Sequence, residues 1–388
     1  MNIAFYFYYG FNFHIGGTER VGAQLAQGLK ERGHNVFLVY VHSEVEQVPG
    51  IPTFRLSNVD TKKLDNQENV AQLHDFIIKN QIDVFQVFDY SSILAARLIE
   101  KVLKNTSCVT VLHFHNTPLW YKVVETGRWP RFIHPLVRLR RQIYSHKLIR
   151  LHYSIFDAIV LLSNTYIDTY SKYKPCHSKA EVTAIINPNT YEITDLLPQK
   201  EALRRKKKNI VFVGRLDETQ KGFSYLAEIW RRVSFLKPKW NLIIVGSGPS
   251  EAYLKSQNLP NCSFEGRQKP LKYYQDASIF IMTSRFEGWP LVLPEAMQNY
   301  CVPIAFNSFS ALREIVNEGG CGVMVKAFDI DEYVNKLIRL MDDDELRERY
   351  AVSGYEYITS NFQTSSILDE WESLYTSLVE QKQNKNPG

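Results

Sequence analysis

Apolar runs alternate with amphipathic stretches along the first half of the chain. "NIAFYFYYG", residues 2–10, reads as a strand. "ERVGAQLAQGLKERG" then reads as a helix, with Val21, Leu25 and Leu29 on one face, Thr18 placed to cap the start and Gly33 suited to the exit. Further strands are predicted at "NVFLVYV", "IDVFQVFD", "CVTVLHF", "DAIVLLS" and "VTAIIN". Near-continuous Val, Ile, Leu and Phe, with helical patterns between several of the runs, predict a parallel sheet covered on both faces.

A basic, polar stretch, "PQKEALRRKKKN", interrupts the rhythm at 198–209 and is expected to be a linker. The alternation then restarts with "IVFVGRL", a helix "GFSYLAEIWRRVSFL", and strands at "WNLIIVG", "NCSFEG", "SIFIMTS", "VPIAF" and "GVMV". The expected organisation is α/β throughout. One doubly wound domain spans 1–197 and a second spans 210–362. A C-terminal helix in 363–388 crosses back to the first domain, and the tail "EQKQNKNPG" is disordered. Two such domains face a cleft, and ligands in this architecture bind outside the carboxyl ends of the strands.

Composition narrows the classes. The 388 residues are 45% hydrophobic and 22% charged, an ordinary globular mix. A net charge of +5 is too mild to call for nucleic acid as a partner. No window reaches the ~20 apolar residues of a membrane span. The N-terminus lacks a basic leader and a small-residue cleavage site. Five cysteines without a C-x-x-C suggest free thiols in a reducing compartment. The expected location is therefore cytoplasmic. Charge is uneven, however: seven Arg and Lys and no acid lie between Thr126 and Phe156.

Candidate chemistry sits at the strand ends. Gly16 and Gly17 follow the first strand and open the first helix, where free N–H groups can meet an anion; a plain turn would look the same. His113 and His115 end the strand "CVTVLHF". They could transfer a proton, donate to a phosphate, pair on a metal or simply pack, but no Asp, Glu or Cys stands nearby to complete a metal site. After "IVFVG", Arg215 and Lys221 place a guanidinium fork and a point charge beside a helix start, which suits a diphosphate as well as it suits solvent.

"SRFEGWPLVLPEAM" carries Glu287 in the loop after a strand and Glu295 about a turn inside the next helix. Pro290 and Pro294 fit only the start of that helix, which is expected to begin near 290–292. Carboxylates there can accept hydrogen bonds from sugar or ribose hydroxyls. They could also only cap the turn and offset the helix dipole.

In order along the chain, "GGTERV", "HFHNTP", "INPN", "GRLDETQKG", "VGSGP", "SRFEGWPLVLPEAM", "VPIAF" and "LREIVNEGGCGVMV" resemble the retaining, nucleotide-sugar-dependent glycosyltransferases of the GT-B fold, glycosyltransferase family 4. The resemblance covers most of the chain and centres on the E-x7-E pair, Glu287 and Glu295. It implies two Rossmann-like domains, the first binding acceptor and the second binding the nucleotide sugar. Arg215 and Lys221 would hold the donor diphosphate and Glu287 the hydroxyls of the transferred sugar. Glu295 would hold the ribose, and the backbone of Gly288, Trp289, Pro290 and Leu291 would line the donor. Gly16 and Gly17 would face donor and acceptor. His115 is the expected catalytic-site histidine, with His113 as the alternative, and Glu314 matches a position at the cleft edge. The donor would be a nucleoside-diphosphate sugar, a UDP-sugar first among them, with no metal and no other cofactor.

The match departs from the family at "QNYC", where Tyr300 stands near a usual glycine. The run Asp342, Asp343, Asp344 reads as acidic first-turn residues rather than a metal site. The acceptor would be a saccharide or lipid-linked saccharide, in cell-surface polysaccharide or lipopolysaccharide synthesis. The basic, apolar segment 128–150 is a candidate contact with the inner face of the cytoplasmic membrane, or an ordinary helix with a basic outer face. An epimerase or glycogen-type synthase of the same fold, and a two-domain sugar-binding protein without catalysis, are the rival readings.

Overall fold

β1 (Asn2–Phe7) is apolar because both of its faces are covered: Ile3 to Phe7 each show at most 1% of their surface. The structure is a computed structural model that describes residues 1–7, 16–41, 48–57, 63–89, 92–103, 106–118 and 131–385. These fall into two units. One takes residues up to Pro188 together with Thr364 onward; the other runs Asn189–Gln363.

In the first unit β1 is followed by α1 (Gly17–Glu31), β2 (Asn35–Tyr40), β3 (Thr53–Arg55), α2 (Gln67–Lys79), β4 (Val84–Asp89), α3 (Ile93–Leu103) and β5 (Val109–Phe114). Then come α4 (His134–Ile155), β6 (Ala158–Leu161), α5 (Ile167–Ser171) and β7 (Glu181–Ala184). The strands pair in parallel in the order β3-β2-β1-β4-β5-β6-β7. The order reverses between β1 and β4, which puts the crevice of this sheet at their carboxyl ends. α1 starts two residues earlier than the sequence pattern suggests. Gly16 is its N-cap, and Thr18 is buried inside the first turn rather than capping it.

The second unit contains α6 (Gln199–Arg205), β8 (Lys207–Val213), α7 (Glu218–Lys221), α8 (Phe223–Leu236), β9 (Asn241–Val245), α9 (Glu251–Ser256) and β10 (Cys262–Gly266). It continues with α10 (Leu271–Asp276), β11 (Ala277–Met282), α11 (Val292–Gln298), β12 (Val302–Asn307), α12 (Ala311–Ile315), β13 (Val323–Lys326), α13 (Ile330–Asp342) and α14 (Asp344–Asn361). Its sheet is also parallel, ordered β10-β9-β8-β11-β12-β13, and reverses between β8 and β11. The fold is thus two parallel-sheet α/β units, as the hydrophobic pattern predicts.

The expected linker at 198–209 is not one. α6 and the first residues of β8 occupy it, and the chain passes between units at Pro188–Asn189. Basic composition conceals apolar anchoring here: Ala202 is 3% exposed and Leu203 packs on the same core. Lys206 turns inward, donating from Nζ to the carbonyls of Tyr274, Ala277 and Asn299 at 2.7, 2.9 and 2.6 Å. The cation thereby ties off the carboxyl ends of α10 and α11, which favour positive charge.

The C-terminal helix, Thr364–Lys385, belongs to the first unit. Trp371 and Tyr375 are fully buried there. Gln24 donates to Thr364 Oγ1 at 3.0 Å, and Glu372 pairs with His34 at 2.7 Å. The helix also runs through most of the tail expected to be disordered. Lys382 Nζ donates to the Cys108 carbonyl at 2.7 Å and to Asp157 at 3.0 Å, which anchors its last turns. Asp343 caps α14 by accepting from Leu346 N, Asp344 pairs with Arg347 and Asp342 with Lys237, so the acidic run is helix-end chemistry. Tyr300 takes the left-handed conformation at φ 55°, and its ring stacks on Tyr355 at 4.4 Å.

Candidate active site

The loops leaving β8 and β11, the two strands at the reversal of the second sheet, carry most of the expected donor residues. After β8, Gly214 gives way to Arg215 and then to Asp217, whose side chain accepts from Thr219 N and starts α7. α7 is one turn long and ends at Lys221. Gly222 then takes φ 65°, and a Cβ there would lie 2.5 Å from the Thr283 carbonyl oxygen, so only glycine lets the two loops touch.

That contact is reinforced on both sides. Thr283 Oγ1 donates to the Lys221 carbonyl at 2.9 Å, and Arg285 N donates to the Gln220 carbonyl at 2.7 Å. The Arg285 guanidinium donates to Glu218 Oε1 at 2.9 Å and lies 4.6 Å over the Tyr225 ring. Glu218 also accepts from Ser224 N and Oγ. α7 is therefore held by its backbone and by a nearly buried cation (10% exposed).

The result is a tight cluster around Glu287. Lys221 Nζ lies 2.6 Å from Oε1, and Gln220 Nε2 donates to Oε2 at 2.9 Å. The Lys221 and Glu287 side chains are 12% and 7% exposed. Arg215 stands apart at the surface: its side chain is 65% exposed and pairs with Asp217 at 2.6 Å. The sequence pattern identifies Lys221 and Glu287 but misses Gln220, Arg285 and Glu218. Their proximity to the motif residues was the available signal.

Glu295 lies away from solvent. It is fully buried, one turn into α11, and accepts from Thr190 Oγ1 and Tyr274 Oη, each at 2.9 Å. Both of these donors are hydroxyls of the protein itself. Between the two acids, Trp289 and Leu291 are buried and Gly288 is half-buried. The Trp289 ring packs 5.6 Å from Phe362, and its Nε1 has no partner among the described residues. Glu314 lies on α12, where its carbonyl accepts from Tyr357 Oη at 2.8 Å.

In the first unit, His113 on β5 and His115 just beyond its end have their rings 4.0 Å apart. His113 is 1% exposed, and burial beside His115 holds its pKa well below the usual histidine value. Burial lowers His115 to about 3. Both imidazoles are therefore neutral at neutral pH. The Nε2 atom of each is buried without a partner among the described residues. Gly16 caps α1 and Gly17 is exposed at its start. Residues 8–15, which precede it, lie outside the described residues, as do residues 128–130 of the basic segment.

The chain as a whole is similar to known proteins. The family model "Glycosyltransferase Family 4" matches residues 15–185, and "Glycosyl transferases group 1" matches 194–357. An uncharacterised glycosyltransferase of Haemophilus influenzae is 27% identical, covering 92% of this chain and 96% of that one. An amylovoran biosynthesis glycosyltransferase of Erwinia amylovora is 24% identical, covering 92% and 95%. The solved structure of Anabaena HepE in complex with UDP-glucose superposes with a TM-score of 0.72 at 15% identity, covering 97% of this chain and all of that one. With both halves matched in order and both sheets wound as that fold requires, the chain belongs to the family 4 glycosyltransferases of the GT-B fold.

Proposed function

We propose that this glycosyltransferase moves a sugar from a nucleoside-diphosphate sugar, a UDP-sugar, to a hydroxyl of a saccharide or lipid-linked saccharide, with retention and without a metal. The product would enter cell-surface polysaccharide or lipopolysaccharide, as the name of the Erwinia relative suggests. The observation that carries this reading is the Lys221–Glu287–Gln220 cluster where β8 and β11 end, built around a buried carboxylate and two half-buried donors. A cation for phosphate and a carboxylate for hydroxyls are already in contact there. The UDP-glucose bound by HepE adds weight to the donor class.

In this mechanism Lys221 turns from Glu287 to a phosphate oxygen as the donor enters, and Arg215 adds its fork from the surface. Both stabilise the departing diphosphate, where charge develops. Glu287, released from Lys221, accepts from the sugar hydroxyls. Glu295 exchanges Thr190 or Tyr274 for a ribose hydroxyl. Neutral His115 donates or accepts a hydrogen bond and is not a standing cation. The acceptor hydroxyl enters on the face that the diphosphate leaves.

A thermal-shift screen with UDP, GDP and ADP, followed by donor hydrolysis with UDP-glucose and UDP-N-acetylglucosamine, tests the donor. A shift with UDP that is lost in Glu287→Ala and Lys221→Ala is expected. Undiminished turnover in Glu287→Ala would refute its role. Nuclear magnetic resonance of the first-formed product reads retention, and turnover after chelator treatment reads metal dependence. Conversion of a nucleotide sugar to its epimer without acceptor would favour the epimerase.

The exposed face of α4 supports a second element, contact with an anionic membrane. Leu136, Leu139 and Ile143 are 66%, 52% and 59% exposed at a spacing that puts them on one helical face, and Phe132 just before α4 is 80% exposed. Arg138, Arg140, Lys147 and Arg150 are exposed around them, and α4 contains no Asp or Glu. Among the described residues no helix is long and apolar enough to cross a membrane, so the contact would be superficial. Co-sedimentation with phosphatidylglycerol vesicles, lost in Leu136→Ser/Ile143→Ser and in high salt, is the expected result. Binding indifferent to anionic lipid would end this part of the proposal.

A further inference from the structure

A line of buried polar contacts runs from the C-terminal helix to the histidines of β5. The Tyr375 hydroxyl donates to Gln86 Oε1 on β4. The other end of that amide, Nε2, faces His113 Nδ1 at 3.4 Å. Gln86, His113 and Tyr375 are each at most 1% exposed, so solvent supplies none of them with a partner. With the amide turned this way its nitrogen donates, so His113 Nδ1 accepts and the ring proton sits on Nε2, which has no partner among the described residues. Turning the amide over would reverse the tautomer.

The His113 ring is packed against Trp371 of the same helix at 4.8 Å and against Phe88 at 5.2 Å. His115 completes the stack, 4.0 Å from His113 and 5.5 Å from Phe88. None of these contacts is needed to build the sheet, whose ladder bonds are made by backbone. A buried glutamine on a central strand, bridging a tyrosine and a histidine 262 positions apart in the chain (375 − 113), is expensive unless satisfied at both ends.

We propose that Tyr375, acting through Gln86, fixes the Nε2–H tautomer of His113 and so sets the ring that orients His115 in the transfer site. Tyr375 and Gln86 are then positioning residues contributed by the last helix and by β4. The proposal rests on His115 serving the glycosyl transfer proposed above, but the tautomer itself can be read independently of that.

Long-range proton–nitrogen correlation of the imidazoles in the full chain tests it. The wild type should show His113 protonated on Nε2. Tyr375→Phe, which keeps the ring and its packing, and Gln86→Met should mix the two tautomers and move the His115 resonances. In UDP-glucose hydrolysis both variants should lose about tenfold in kcat with KM within twofold, the low end of what losing an outer hydrogen bond costs where a histidine holds a metal. A merely structural role would lower the melting temperature and leave the tautomer and kcat alone. His113 protonated on Nδ1 in the wild type, or an unchanged tautomer in Tyr375→Phe, overturns the proposal, as does a changed tautomer with undiminished kcat. Absence of UDP-glucose turnover in the wild type counts against the choice of donor and leaves the tautomer measurement to decide this point.

Discussion

Lys221 Nζ and Glu287 Oε1 lie 2.6 Å apart, and neither side chain shows more than 12% of its surface. Removing one partner leaves the other charge buried, at a cost of about 3–5 kcal/mol, whereas an apolar pair of similar size can restore much of the loss. Lys221→Met and Glu287→Met should each destabilise the protein in urea titration. The double variant should be more stable than either single one, yet fail to bind UDP. Additive losses in the double variant would mean that the two charges are not coupled.

Lys206 gives a second prediction. Its ammonium serves three carbonyls, so Lys206→Met should cost about 2–3 kcal/mol by leaving them unpaired. Burial lowers its pKa from 10.5 to about 8. Between pH 8 and 10.5 the unfolded chain holds a proton that the folded one has released, so raising the pH through that window stabilises the fold. Below pH 8 both states are protonated and the cost of burying the charge is constant. Urea titrations at pH 7.5 and 9.5 should show the wild type gaining on Lys206→Met at the higher pH.

These two lysines mark what was readable in the sequence. Lys221 follows a strand, a glycine and an arginine in a motif, and its vicinity could be named in advance. Lys206 sits in "RRKKKN", which looks solvated, and only the three-dimensional course of α6 and β8 turns it inward. Strands were readable because burial on both faces forces continuous apolar runs. β3 was not, since its three residues lie at a sheet edge and only Phe54 is even half-hidden between exposed neighbours. Glu295 was correctly placed on α11. Its burial was not foreseen, because Thr190 and Tyr274 reach it from 105 and 21 residues away.

Acid should loosen the first unit through β5. His113 and His115 both have pKa values below the 6.5 of an unfolded histidine, that of His115 at about 3. As pH falls below 6.5 the unfolded chain takes up protons that these rings refuse, so stability declines by up to about 1.4 kcal/mol per pH unit for each ring. Urea titrations between pH 7 and 5 should show this slope, reduced by roughly one proton in His115→Gln. An unchanged slope in that variant would mean that His115 titrates normally.

Gly222→Ala should separate the β8 and β11 loops. A Cβ at that position meets a backbone oxygen at 2.5 Å and must accept φ 65°. The expected loss is about 1–3 kcal/mol. Because Lys221 and Glu287 stand on opposite sides of that contact, UDP affinity should fall as well. Wild-type affinity in a stable Gly222→Ala protein would show that the loops adjust independently.

The assignment of Thr364–Lys385 to the first unit bears on biosynthesis. Residues 189–363 form a contiguous unit that can fold as soon as it emerges from the ribosome. The earlier half of the chain cannot be completed then, because Trp371 and Tyr375 belong to its interior and are translated after the whole of the second unit. The later-made unit is thus free to mature first, and the first sheet waits for the helix Thr364–Lys385 before it can close over its histidines. A nascent chain stalled just short of Thr364 should yield a protease-resistant fragment from the second unit and none from the first.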